Sequence, residues 1–189
     1  MLKFLCSLIL KVSGWSFKNE LSSDVRSFIF IGAPHTSNYD FIPAMSFAYM
    51  LKRNTKFVIK NEWMIFPLNH ILKSAGAIGL DRSKLKGGGV STTDIMADLF
   101  SKYPEMVLMI SPEGTRSPNP NWKTGFYYIA QKANVPIVLG YADFEKKIVG
   151  IGPMIYPSDF EKDMREIMAF YQQFKGNRPE NFKLDSRYM

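Results

Sequence analysis

Apolar residues recur along this chain with two periods, and the periods alternate. Mostly apolar runs at 28–31, 56–59 (opening on Lys56), 106–110 and 135–141, with a shorter one at 78–80, read as strands, the most apolar of them buried on both faces. Helical spacing fills the intervals. Residues 41–52 follow Asp40, the expected N-cap, and Pro43 then falls in the first turn, where no N–H bond is needed. Residues 68–75 form a short helix closed by Gly76. Ser91 with Asp94 is an acidic capping box for a helix carrying Ile95, Met96, Leu99 and Phe100 on one face. Thr124 heads a helix that aligns Phe126, Ile129, Ala130 and Ala133. Ser158 with Glu161 makes another capping box, opening a helix with Phe160, Met164, Ile167, Met168, Tyr171 and Phe174 on one face and ending at Gly176. Residues 147–151 and 154–156 read as short strands or an edge hairpin. The polar stretch 16–27 reads as a connection, 84–89 as a basic glycine-rich loop, and 177–189 as an irregular tail.

Strands alternating with helices predict an α/β fold: a single domain with a mostly parallel mixed sheet flanked by helices. A chain of 189 residues suffices for one full core, and no repeat or shift of composition marks a second domain. In such sheets ligands bind beyond the carboxyl ends of the strands. Three polar turns occupy such ends, at 35–40, 81–83 and 113–117, which predicts one composite site.

The first twelve residues form a separate problem. Leu2, Phe4, Leu5, Leu8, Ile9, Leu10 and Val12 are interrupted by Lys3, Ser7 and Lys11 at every fourth position, a narrow polar stripe on an apolar helix. Two readings stand. The helix (residues 1–14, apart from the main domain at 15–189) is an anchor lying in a membrane interface with its lysines outward, or it is a cap on the core. A signal peptide ranks below both, because Lys11 breaks the apolar stretch and no small-residue cleavage site follows. No stretch reaches the ~20 apolar residues that span a bilayer.

Charge and chemistry narrow the function. A net charge of +7 points to an anionic partner, whether lipid, phosphorylated substrate or nucleic acid. The absence of an aromatic-rich basic motif argues against nucleic acid. The single Cys6 excludes an intrachain disulfide and a cysteine-based zinc site. A reducing, cytoplasmic compartment follows as the expectation. His35 and Asp40 bracket a turn, and an imidazole held by a carboxylate is suited to general-base work. If that stretch were helical, the two side chains would diverge by roughly 140°, so residues 36–38 must turn. Glu113, Gly114, Thr115 and Arg116 put a carboxylate, a flexible backbone and a guanidinium in one loop fit for an anion; Arg82 ends a separate strand, and Lys60 is a weaker candidate of the same kind. His70 lies in an apolar helical stretch and reads as packing, and two histidines so placed make no metal site. No G-x-S-x-G elbow, phosphate-binding loop or paired nucleophile is present, so covalent catalysis through serine or cysteine has no obvious nucleophile.

At these residues the chain resembles the lysophosphatidic acid acyltransferase (PlsC-like) family of glycerolipid acyltransferases. The resemblance covers four blocks in order between about 34 and 141. They are Pro34-His35-Thr36-Ser37-Asn38-Tyr39-Asp40, Gly76 to Arg82, Ser111-Pro112-Glu113-Gly114-Thr115-Arg116-Ser117 continued by Lys123-Thr124-Gly125-Phe126, and Val135-Pro136-Ile137-Val138-Leu139. Pro34, Gly79, Ser111 and Leu139 depart from the usual residues. The resemblance implies an acyltransferase of phospholipid biosynthesis. His35 would act as general base with Asp40 orienting it, acyl-CoA or acyl carrier protein would be the donor, and a lysophospholipid or glycerol phosphate the acceptor. Arg82, Glu113, Gly114, Thr115, Arg116 and Lys60 would bind that acceptor at the cytoplasmic membrane surface, with no cofactor or metal. An aminolipid acceptor, a thioesterase and a non-enzymatic lipid-binding protein are the other readings.

Overall fold

The computed structural model describes residues 2–19, 21–22, 24–80 and 91–189. Seven strands, β1 (Ser16–Lys18), β2 (Phe28–Gly32), β3 (Asn54–Lys60), β4 (Ala77–Leu80), β5 (Met106–Ile110), β6 (Ile137–Asp143) and β7 (Ile148–Ile155), form one sheet in the order β1-β7-β6-β2-β5-β3-β4. The strands from β6 to β4 are parallel to one another; β7 is antiparallel to β6, and β1 runs with β7. The chain is therefore one α/β domain on a mostly parallel mixed sheet, as the alternation of periods predicts.

The consecutive apolar runs are explained by two covered faces. Ile29 and Ile31 of β2, Met106 and Leu108 of β5, and Ile137 and Leu139 of β6 point into one core. It is closed by helices α4 (Thr92–Lys102), α5 (Gly125–Ala133) and α6 (Phe160–Tyr171). Phe28, Phe30, Val107 and Val138 point to the opposite face, where α1 (Leu2–Val12) and α2 (Phe41–Met50) lie. Helix α3 (Leu68–Ala75) joins them through Ala75, packed with Cys6 and Met45. Phe30 stacks on Phe47 at 4.2 Å between ring centres and fills the space over Gly140, where a β-carbon would lie 1.7 Å from its ring. That position tolerates only glycine, and the β6–β7 register shifts there.

Several local expectations are corrected. The connection at 16–27 contains β1, whose three residues are too few to show a period. The expected edge hairpin is one strand, β7, whose Gly150, Gly152 and Pro153 hide its alternation; β1 covers its first half from outside. Asp159, not Ser158, caps α6, accepting the Lys162 N–H at 3.1 Å, while the Ser158 N–H goes to Asp163. That helix stops at Tyr171, short of Gly176.

Helix α1 packs on the domain and leaves an apolar face exposed. Cys6 and Leu10 are buried against the domain, so it caps the core. Its lysines do not both face outward: the Lys3 ammonium donates to Thr55 Oγ1, and burial, with the nearby Lys56 charge, holds it below the ordinary lysine range. The face turned to solvent is instead apolar, with Phe4, Leu5, Leu8, Ile9 and Val12 between 41 and 81% exposed. Among the described residues no helix is long and apolar enough to cross a membrane.

Candidate active site

The parallel strands deliver β2, β5, β3 and β4 to one edge of the sheet. The chain leaves β2 and turns at once. Ser37 caps one turn of 3-10 helix over Asn38–Asp40, accepting the Tyr39 N–H at 3.1 Å. This is the turn that His35 and Asp40 require. Asp40 is buried, and its Oδ2 receives the N–H groups of Thr36 and Ser37 at 2.6 and 2.8 Å and lies 3.2 Å from His35 Nδ1. The Ser37 hydroxyl is 3.3 Å from the other carboxylate oxygen.

Asp40 stands at the N-cap position of α2 but makes no side-chain cap bond, contrary to the sequence reading. The reason is Pro43. An N-cap carboxylate bonds the N–H of the second or third helical residue, and the third here is a proline without one. The carboxylate turns back onto the histidine turn instead. Such an acceptor on Nδ1 leaves Nε2 as the nitrogen with a free lone pair.

The second turn begins where β5 ends. Glu113, 3% exposed, reaches across from 78 residues away, and its Oε2 accepts the His35 backbone N–H at 2.8 Å. Burial pushes this carboxyl up to about 8; the His35 N–H and the Ser111 hydroxyl oppose the shift, and the charge of Asp40 adds to it. Glu113 thus faces the histidine turn, not the outer surface of its loop. Because the folded-state value lies above the unfolded one, its contribution to stability is complete below about pH 4.5 and gone above about 8. Glu113→Gln keeps an acceptor for the His35 N–H and removes the titration. Its stability relative to the native protein is expected to rise across that window by up to about 1.4 kcal/mol per pH unit. Urea unfolding at pH 5 and pH 9 checks this; the same difference at both values would reject a protonated buried carboxyl.

Gly114 follows with φ +66°, a left-handed conformation that favours glycine, and a β-carbon there would lie 2.7–2.8 Å from the Lys123 side chain. The loop is pinned by Asn119 Nδ2 on the Glu113 carbonyl at 2.8 Å and by the Lys123 N–H on the Pro112 carbonyl at 2.8 Å. Thr115 and Arg116 are exposed on its outer side. Lys60 ends β3 at the same edge of the sheet and is exposed. Arg82 lies outside the described residues. His70 is exposed on α3 with its ring edge-on to Phe66, so of core and interface packing, the two roles its apolar stretch suggests, the structure excludes the core.

Two supports of the site escape the sequence reading. Tyr171, fully buried at the end of α6, places its hydroxyl on the carbonyls of Ile31 and Gly140 at 2.8 and 3.0 Å, directly beneath the histidine turn. The tail is not free either. Asn177, Arg178 and Asn181 contact Thr36 and Ser37, and Asp185 anchors the tail to Trp122. A polar composition does not separate a strap from a solvated tail; the aromatic Phe182 and Tyr188 were the only hint. Among the described residues no three metal-ligating side chains cluster.

The arrangement is an imidazole with one free nitrogen, held by a carboxylate, beside an exposed loop bearing a guanidinium. A family model described as Acyltransferase matches residues 18–139, a span that includes both turns. No curated protein and no solved structure matches the chain.

Proposed function

The chain belongs to the acyltransferase family, and we propose that within it the protein moves a fatty acyl group from acyl-CoA or acyl carrier protein to a hydroxyl of a lysophospholipid or glycerol phosphate. The observation that carries this reading is the meeting of two turns 78 residues apart, through the Glu113 carboxyl group on the His35 N–H. His35 Nε2 takes the proton of the acceptor hydroxyl, while Asp40 holds the ring by Nδ1 and stabilises the imidazolium. The acceptor oxygen attacks the thioester carbonyl, and the oxyanion is held by backbone N–H groups of the turns. The carbon–sulfur bond breaks, and the imidazolium returns its proton to the departing thiolate. Glu113 positions the histidine turn. Arg116 and Thr115, with Gly114 allowing close approach, bind the acceptor phosphate together with Lys60, and Arg82, which lies outside the described residues, is assigned to it by the family resemblance alone.

Acyl transfer from a radiolabelled acyl thioester to lysophosphatidic acid, glycerol 3-phosphate and monoacylglycerol tests the acceptor. The phosphorylated acceptors are expected to react faster. Arg116→Ala is expected to raise their KM about tenfold or more without changing that of monoacylglycerol, since a guanidinium bonds phosphate bidentately. Equal use of all three would reject a phosphate acceptor and turn attention to aminolipids. Free fatty acid as the only product would indicate a thioesterase.

The exposed face of α1 supports a site of action on a membrane surface. Its apolar stripe is joined by Tyr49, against which Phe4 packs at 5.6 Å. Trp63, Ile65 and Phe66 are exposed on the loop after β3, and Lys11, Lys52 and Lys73 on the same layer match anionic head groups. Replacing Leu5 and Leu8 by aspartate is expected to abolish sedimentation with anionic phospholipid vesicles while leaving the melting temperature unchanged. Undiminished binding would remove α1 from the membrane contact.

A further inference from the structure

We infer that Asn177 is a positioning residue for the His35–Asp40 pair, acting from outside the matched span through the hydroxyl of Ser37. The inference rests on the acyl-transfer reading and deepens it. A serine hydroxyl has one hydrogen to donate and two lone pairs to accept with. At Ser37, whose residue is 6% exposed, one lone pair receives the Tyr39 N–H at 3.1 Å and the other receives Asn177 Nδ2 at 3.0 Å. With both acceptor positions filled, the hydroxyl hydrogen has one place left to go, Asp40 Oδ1 at 3.3 Å. That bond fixes the carboxylate plane and leaves Oδ2 facing the Thr36 and Ser37 N–H groups and His35 Nδ1. Direction therefore passes along a chain from Asn177 to Ser37 to Asp40 to His35.

Asn177 is brought there by its neighbours. Gly176 packs so closely on the turn that a β-carbon would lie 2.6 Å from Thr36 Oγ1 and 3.0 Å from Pro34. The Arg178 N–H donates to Thr36 Oγ1 at 3.1 Å and Asn181 Nδ2 to the Thr36 carbonyl at 3.3 Å. Further along, the Ser186 N–H donates to the Pro120 carbonyl and Lys183 accepts the Trp122 indole N–H. One strap thus touches the histidine turn and, at Pro120 and Trp122, the stretch that follows the second turn. The family match ends at residue 139, so no part of the strap lies within it.

Asn177→Asp tests the inference with a side chain of the same shape and opposite polarity. Its carboxylate accepts the Ser37 hydrogen and draws it away from Asp40. In the full chain, kcat for acyl transfer is expected to fall about fivefold with KM within twofold and an unchanged melting temperature. Ser37→Ala should lose a comparable factor, and Asn177→Ala should add nothing to it, because the two act in series. A second measurement does not depend on turnover. Imidazole ¹⁵N shifts, at a pH where both rings are neutral, should show His35 in its Nδ1–H tautomer in the native protein and in mixed tautomers in Asn177→Asp, with His70 unchanged as internal reference. Native kcat in Asn177→Asp, an unaltered His35 tautomer, or full additivity of Asn177→Ala with Ser37→Ala would each overturn the inference. If His35→Ala retains transfer, the acyl-transfer reading fails by itself, and the tautomer measurement still decides the role of Asn177.

Discussion

Replacing His35 by alanine is expected to lower the rate of acyl transfer at least about a thousandfold, with the fold intact. A positioned general base contributes on the order of 10²- to 10⁴-fold, and no second base stands on the turn to take its place. The fold survives because the carboxylate that faces the ring keeps other donors. Asp40 retains the Thr36 and Ser37 N–H groups and the Ser37 hydroxyl. The ring itself is 28% exposed, so its removal leaves no sealed cavity. Asp40→Asn is expected to cost about a hundredfold or more by allowing the wrong tautomer. His70→Ala, on the exposed side of α3, should change nothing. Initial rates with a radiolabelled acyl thioester, read beside circular dichroism, decide this. A folded His35→Ala protein with native turnover would remove the base from the mechanism.

The largest effect on stability is expected at Asp185, thirty or more residues beyond the part of the chain that carries the chemistry. Its carboxylate is fully buried and receives the Trp122 N–H at 2.9 Å, Arg187 Nε at 2.9 Å and Arg187 Nη2 at 2.7 Å. Arg187 Nη2 in turn reaches the Trp122 carbonyl at 2.9 Å. Asp185→Ala leaves the buried Trp122 N–H without its acceptor, a change that costs about 1–3 kcal/mol, while the half-exposed Arg187 guanidinium keeps the Trp122 carbonyl and turns to water. Burial opposes ionisation of Asp185, but the Arg187 and Trp122 donors together outweigh it and hold the carboxyl below its ordinary value. Its contribution is therefore present above the unfolded value near 3.8 and is lost as pH falls through the lower folded one. Urea unfolding of native protein and Asp185→Ala at neutral pH reads the difference. A loss under about 1 kcal/mol would mean that the strap holds by apolar contacts alone. Because the same strap carries Asn177 and Asn181, loosening it is also expected to slow transfer.

The sequence carried the local and the periodic. All five of the mutually parallel strands and all six helices are legible as apolar runs and helical stripes, because a strand buried on both faces needs no polar position and a flanking helix needs one apolar side. His35, Asp40 and the Glu113–Arg116 loop stood out as candidates for a different reason: turns at strand ends tolerate many residues, so those particular side chains draw notice there. The direction of the Asp40 carboxylate was legible in principle too, since Pro43 removes the N–H it would have capped.

Other features were decided only in three dimensions. The buried state of Glu113 depends on β2 and β5 lying side by side, which no spacing within its own loop encodes. Tyr171 reads as one more apolar position on α6, and its hydroxyl acquires a role only where two strand carbonyls converge beneath the histidine turn. Helix α1 reads as a polar stripe on an apolar cylinder, but whether the lysines or the leucines face outward depended on Thr55 being within reach of Lys3. The strap at 177–188 is the clearest case. Hydrogen bonding between distant polar groups has no period, so a polar tail that folds back on the site and one that trails in water are written with the same residues, and only the packed domain separates them.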